Sequence, residues 1–430
     1  MPLENLDDLE AEWTEFTYDR TGNRNNWSQD QRWRADNPGK FQQLVTYRNG
    51  GARPDFSTSP QGSVERRMLE HLDAYREAKG TVTPIPTPTN YGRGIGYLKL
   101  GSSNHPPSNP DKYDTVALGG SGFPWPHPNR ALIYTSLTNV PQAWSAGVPY
   151  ADALANGWLL KDANGNYVMN KGFAGVYLGD VGNPDYVRAW CQNVEALVRA
   201  TPGCKGFYSD DTIAGGMWWN SPPVKYPSLA SWTDAMVSAA VGVYAHMKPR
   251  GIYTAHNAGS YVVGDPDSDN GALKMRFWKL LSAHTDGLMA ESWIYLKEWG
   301  RSVRKVGPGW DQQWDAIRGF HRLCNGETLN YGVAQTPITF DKQVDFIGLD
   351  YGDSSATDKA AHTYCLATFL LDLQHEGSVH MWNTSDGTDP WSPDMSKLPI
   401  QFAGPAVKEG NVWKRGPVTV DPVAGTASIS

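Results

Sequence analysis

Cysteine is scarce in this 430-residue chain: Cys191, Cys204, Cys324 and Cys365 are widely separated, with no C-x-x-C pair. That spacing excludes a dense disulfide framework and a cysteine-based zinc site. Cys191 and Cys365 fall on apolar helical stripes, where a thiol packs like a small hydrophobe. Long apolar runs are also missing, none approaching the ~18 residues of a membrane span. Residues 1–13 are acidic and lack the basic start and apolar stretch of a secretory signal, so neither membrane insertion nor export by that route is expected. Basic charge is not in excess. A net charge of −7 argues against nucleic acid or an anionic membrane as partner and suits a neutral substrate. The histidines form no H-E-x-x-H or other metal spacing, and Gly92-Arg-Gly-Ile-Gly96 is neither a phosphate loop nor a dinucleotide fingerprint, so no metal and no cofactor is expected. Ser121, in Gly119-Gly-Ser-Gly122, lacks the G-x-S-x-G spacing of an esterase nucleophile.

Aromatic residues, by contrast, are plentiful, with 18 Trp and 20 Tyr. Most should fill core and loops, but a flat ring with an apolar face and a polar edge also suits stacking on sugars. The chain divides by composition. Residues 1–90 read as a polar N-terminal extension with a helix near 63–78 and a Pro-rich linker, Thr81-Val-Thr-Pro-Ile-Pro-Thr-Pro-Thr89. Residues 91–395 alternate short β-like runs with helical stretches, the rhythm of parallel strands joined by crossover helices. Eight strands are expected, at about 96–100, 115–118, 131–134, 206–209, 251–255, 287–290, 329–333 and 378–381. Residues 396–430 read as a small C-terminal β region. The fold class is therefore α/β, a (β/α)8 TIM-type barrel with an N-terminal helical extension and a small C-terminal β appendage. One helix is signalled strongly: Asn183 as cap, Pro184 in the first turn, and Val187, Trp190, Cys191, Val194, Leu197 and Val198 on one face. Others are expected at about 228–247, 310–324 and 356–375.

Parallel barrel strands deliver their C-terminal ends to one mouth, so polar residues just after strands converge there. Asp210 and Asp211 end one strand and Glu291 another. Two such carboxylates are what glycosidic cleavage requires, one facing the anomeric carbon and one protonating the leaving oxygen. Each also has a structural reading: an Asp after a strand can cap the next helix, and Glu291 can pair with an arginine. Adjacent residues point to opposite sides, so only one of Asp210 and Asp211 faces inward, and Asp210 is preferred as the first residue past the strand. Tyr134, His256, Asn257, Trp293 and Trp382 stand at other strand ends as candidate sugar contacts, and Trp218 and Trp219 follow in the loop Gly215-Gly-Met-Trp-Trp-Asn220.

The order of Tyr113-Asp-Thr-Val-Ala-Leu118, Ala131-Leu-Ile-Tyr-Thr-Ser136, Gly182-Asn-Pro-Asp-Tyr-Val-Arg188, Gly206-Phe-Tyr-Ser-Asp-Asp211 and Asp286-Gly-Leu-Met-Ala-Glu291 resembles the glycoside-hydrolase-like (β/α)8 barrels with an α-galactosidase-type or polygalactosaminidase-type layout. The resemblance runs over about residues 94–425 and implies Asp210 as nucleophile and Glu291 as acid/base. This chain departs from the pattern at Ser209, where an apolar residue is usual, and at Ala255-His-Asn257. It also resembles minor tail proteins of actinobacteriophages. That implies a virion location, docking to other tail proteins through residues 1–90, and a bacterial cell-wall or surface polysaccharide as substrate. The competing expectation is a glycan-binding or structural tail protein whose barrel does no chemistry.

Overall fold

The computed structural model describes residues 36–48, 51–59, 65, 66, 69, 95–99, 115–118, 130–145, 147–201, 203–213, 219–259, 269–298, 301–305, 310–331, 336–353, 355–374, 377–384 and 405–430. A mixed α/β fold is built on one curled sheet. Its strands are β1 (Ile95–Lys99), β2 (Thr115–Leu118), β3 (Arg130–Ser136), β6 (Cys204–Asp210), β7 (Tyr253–Asn257), β8 (Gly287–Glu298), β12 (Asp345–Gly352) and β13 (Val379–Thr384). Neighbours pair in parallel in the order β12-β13-β1-β2-β3-β6-β7-β8, and β12 pairs in parallel with β8 as well. The two sides of the sheet are thereby joined, and its C-terminal strand ends gather at one rim.

The remaining strands are local. β4 (Asn139–Pro141) and β5 (Val176–Leu178) form a small antiparallel pair beyond β3. β9 (Arg301–Arg304) extends the far end of β8 as a hairpin. β10 (Leu329–Tyr331) pairs with β11 (Thr336–Ile338). The strand expected at 329–333 is therefore not part of the main sheet. That place is taken by Asp345-Phe-Ile-Gly-Leu-Asp-Tyr-Gly352, buried along its whole length. Residues 329–331 are extended, as their β-propensity suggests, but pair as an antiparallel hairpin with Thr336–Ile338, and Leu329 and Ile338 pack against the core from outside the main sheet.

Period-two alternation divides the core. Leu132, Tyr208, Ala255, Met289, Ile347, Leu349, Tyr351, Val379 and Met381 pack inside the curl. Their immediate neighbours Ile133, Phe207, Leu288, Ala290 and Phe346 pack outside it, against helices. Each such fully buried large side chain contributes roughly 1.5–3 kcal/mol of transfer free energy. Gly206 is required by the pairing itself, since a Cβ there would lie 1.9 Å from the Tyr253 carbonyl oxygen of β7.

The helices are α1 (Pro38–Arg48), α2 (Tyr150–Ala155), α3 (Pro184–Ala200), α4 (Leu229–Met247), α5 (Asp269–Ala283), α6 (Trp314–Cys324) and α7 (Ala356–Asp372). Helices lie in five of the crossovers, and the β1–β2 and β2–β3 connections fall outside the described residues. In α3 the Asn183 side chain caps the Asp185 amide and Pro184 opens the first turn, with Tyr186, Trp190, Cys191, Val194 and Val198 buried. Two of these buried residues also hold the end of β3, the Trp190 indole donating to the Ser136 carbonyl and the Tyr186 hydroxyl to that of Leu137. Most of the helix expected at 63–78, and the whole Pro-rich segment, lie outside the described residues. At the C-terminus β14 (Val407–Glu409), β15 (Val412–Arg415), β16 (Val418–Asp421) and β17 (Thr426–Ile429) make a four-stranded antiparallel sheet. Arg415 fastens it to α7 by donating to the carbonyls of Leu370, Leu371 and Leu373. No helix among the described residues is long and apolar enough to cross a membrane.

Candidate active site

The same alternation that puts Leu132, Tyr208, Ala255, Met289 and Leu349 inside carries Tyr134, Asp210, Asn257, Glu291 and Tyr351 to the inner rim two residues further on. There they form one hydrogen-bonded group. The Asn257 side-chain nitrogen lies 2.7 Å from Asp210 Oδ1 and 2.7 Å from Glu291 Oε2, so one amide donates to both acids. Their nearest oxygens are therefore within about 5.4 Å of each other, the span of two 2.7 Å contacts laid end to end. Asp210 accepts further bonds from the Tyr134 hydroxyl at 2.9 Å, the Tyr208 hydroxyl at 3.3 Å and the Asp211 amide at 2.9 Å. Glu291 accepts from the Tyr351 hydroxyl at 2.7 Å. The Asp210 partners are all donors. Tyr134 and Tyr208 stay protonated: burial, and then the Asp210 charge, push both phenols well above their usual range.

Backbone strain marks both acids. Asp211 and Ser292, each directly after an acid, have φ of 52° and are the only non-glycine residues with positive φ among the described ones. That cost persists where surrounding structure holds it, which is common at functional sites. At Asp211 the Asn139 amide grips the carboxyl at 2.6 Å. At Ser292 the Lys305 ammonium donates to the carbonyl at 2.9 Å. The carboxyl of Asp211 is held by Asn139 and not by Asp210's partners, and burial together with the Asp210 charge raises it well above the usual range. Ser209 acquires a reason here: its hydroxyl accepts from the Leu137 amide at 3.0 Å, where an apolar residue would leave that buried donor unpaired.

Three expected sugar contacts are corrected, His256 and Trp382 by the alternation and Trp293 by the break in it at Ser292. His256 points outward, fully buried, with Nδ1 3.2 Å from the Thr212 hydroxyl and its ring edge-on to Phe207. Trp293 is buried against Phe346 and donates its indole N–H to the Ile317 carbonyl of α6. Trp382 is buried between Tyr295, stacked at 5.6 Å, and His362, stacked at 4.6 Å. None of the three reaches the rim. Trp219 packs edge-on against Trp232 at 4.7 Å and closes a hydrophobic edge, and Trp218 lies outside the described residues. Tyr351 and Tyr208 are the partners that the sequence reading missed.

His256 supports a stability prediction. Burial lowers its imidazole from 6.5 to about 3, so the native state holds it neutral. A depressed folded value stabilises fully above pH 6.5 and loses that contribution as the pH falls towards 3. At pH 4.5 the loss is about 2–3 kcal/mol. His256→Phe, which does not titrate, should therefore show a smaller drop in Tm between pH 7 and pH 4.5 than wild type. An equal drop in both proteins would place the acid sensitivity elsewhere.

One side-chain group among the described residues has metal-ligand spacing: Asp350, Cys365 and His380, all buried on the helix side of the sheet. Its carboxylate is already engaged, accepting the Ile294 and Tyr295 amides where β8 shifts register against β12, and meeting His380 Nε2 at 2.9 Å. That group secures a β-bulge and lies apart from the rim.

No family model and no characterised relative matches the sequence. Several solved structures are similar to the chain at low scores. Ega3 of Aspergillus fumigatus, in complex with galactosamine, is 8% identical with a TM-score of 0.41, over 71% of this chain and 98% of its own. The noncanonic maltogenic α-amylase AmyB of Thermotoga neapolitana is 9% identical with a TM-score of 0.41, over 76% and 86%. The GH36 α-galactosidase AgaA of Geobacillus stearothermophilus is 11% identical with a TM-score of 0.28, over 53% and 38%. At this level a likeness says nothing of chemistry, and the reading of the site rests on its own residues.

Proposed function

We propose that this chain is a (β/α)8 glycoside hydrolase that cleaves a bacterial cell-wall or surface polysaccharide with retention, Asp210 acting as nucleophile and Glu291 as acid/base. One observation carries the reading: a single amide, that of Asn257, bonds both carboxyl groups at 2.7 Å. Retention needs carboxyl groups ~5–5.5 Å apart, whereas inversion needs ~6.5–9.5 Å to seat a water between acid and sugar. The close pairing favours the former.

In the first step Glu291 gives its proton to the glycosidic oxygen while an Asp210 oxygen attacks the anomeric carbon. The bond to the leaving sugar breaks and a glycosyl ester forms. In the second step Glu291, now ionised, takes a proton from water, whose oxygen displaces Asp210 and releases a sugar of unchanged anomeric configuration. Tyr134, Tyr208 and the Asp211 amide hold Asp210 for attack, and Tyr351 and Asn257 orient Glu291. No metal or cofactor enters either step. The virion placement gains no support from the fold or the comparisons.

The test is release of sugars from cell-wall arabinogalactan and capsular glycans, with the anomer first formed read by proton NMR. Retained product is expected. Inverted product would overturn the assigned roles, and binding without any product would favour the non-catalytic glycan-binding reading.

A further inference from the structure

Eleven tryptophans lie among the described residues, and ten of them are buried or packed against the main core. Trp144 is the exception, with 48% of its surface exposed. An indole left in water forgoes a large burial gain, and a lone exposed ring needs no explanation unless its surroundings supply one. Here they do. Trp144 follows β4, in the connection that leaves the C-terminal end of β3, and its ring centroid is 6.0 Å from that of Tyr134, tilted by 42°. The Tyr134 hydroxyl is the one that holds Asp210. The exposed ring is thus one aromatic ring removed from the carboxylate.

Its loop is also pinned at both ends. The Gln142 amide donates to the Gly175 carbonyl beside β5 at 2.9 Å, and the Asn193 side chain of α3 donates to the Gly147 carbonyl at 3.0 Å. Gly147 packs so closely on the buried Trp190 ring that a Cβ would fall 2.2 Å from the indole nitrogen. With Gln142 and Gly147 held on either side of it, Trp144 has less ordering entropy to lose on binding a ligand.

We propose that Trp144 is the stacking platform for the sugar adjoining the one held at Asp210, so that the site recognises a chain and not a single residue. The inference rests on the hydrolase reading for its ligand class. A pyranose presents a face of C–H bonds that an indole accepts, while its hydroxyls remain free for the polar rim. Platform and acids together span two neighbouring sugars.

The experiment measures affinity by calorimetry for a ladder of one to six sugars prepared from arabinogalactan and capsular glycans. It compares Asp210→Asn with Asp210→Asn/Trp144→Ala, Asp210→Asn/Trp144→Phe and Asp210→Asn/Trp144→Leu. For chains of two or more sugars, Trp144→Ala should raise Kd about tenfold, the scale of one aromatic stacking contact. Phe should recover most of that loss and Leu little of it, a pattern that a purely structural role would not give. Equal affinity of the Ala and Trp proteins for every chain, a loss of the same size for the single sugar, or no binding at any length would overturn the platform. Trp144-dependent binding in a wild type that releases no sugar would leave the platform standing and sink the hydrolase reading alone.

Discussion

Asp210→Asn is expected to lower turnover of the polysaccharide by about 10³-fold or more, with the fold intact. A neutral amide oxygen cannot displace the leaving sugar, and removing a group that reacts covalently costs at least as much as removing a general acid or base. The surroundings accommodate the change without unfolding. Asp210 Oδ1 accepts from Tyr208, Asn257 and the Asp211 amide, so the Asn oxygen takes that side. The new NH2 then faces the Tyr134 hydroxyl, which can turn from donor to acceptor. Steady-state turnover and Tm measured on the same preparation check this. Retention of a tenth or more of wild-type turnover would exclude Asp210 as nucleophile, and a Tm lowered by several degrees would mean that the residue is structural first.

How much of this was legible in the sequence depended on whether strand parity was followed through. Asp210 and Asp211 were separated by the rule that neighbours on a strand face opposite sides. The same rule, applied to His256 and Asn257, sends the histidine outward as soon as Asn257 is inside, and Phe207, Tyr208 and Ala255 already fix that phase. Trp293 was out of reach of the rule, because the positive φ at Ser292 breaks the alternation and no local pattern announces it. Helix α3 was readable to within a residue because its cap, its proline and its apolar stripe agree. Tyr351 was missed along with its strand. Residues 329–333 have β-propensity, but a hairpin and a strand of the main sheet look alike until a partner is known. The alternative run at 345–352 carried a usable signal: apolar residues on both faces, which suits a strand buried on both sides. Trp144 left no trace at all, since what sets it apart is exposure beside Tyr134, a property of the folded chain.

Glu291→Ala should separate the two chemical steps, because the residue acts as acid in one and base in the other. With a sugar leaving group, which needs a proton, turnover should fall by about 10²–10⁴-fold. With an activated aryl leaving group the first step needs little protonation, so its loss should be far smaller, and the glycosyl ester on Asp210 should accumulate as a burst. The cavity left by the side chain lies beside Asn257 and Tyr351, each of which loses the bond that it gives to Glu291, and an added azide ion fits that vacancy in charge and size. Azide needs no base and should restore turnover, giving a glycosyl azide of retained configuration. The same addition to Asp210→Gly would attack from the opposite face and give the inverted azide, so the two variants distinguish nucleophile from acid/base by the hand of their products. If Glu291→Ala loses the same factor on both leaving groups and azide changes nothing, Glu291 only positions Asn257. The proton would then have to come from another group at the site, and Asp211, whose carboxyl is raised by burial and by the Asp210 charge, is the next acid to replace.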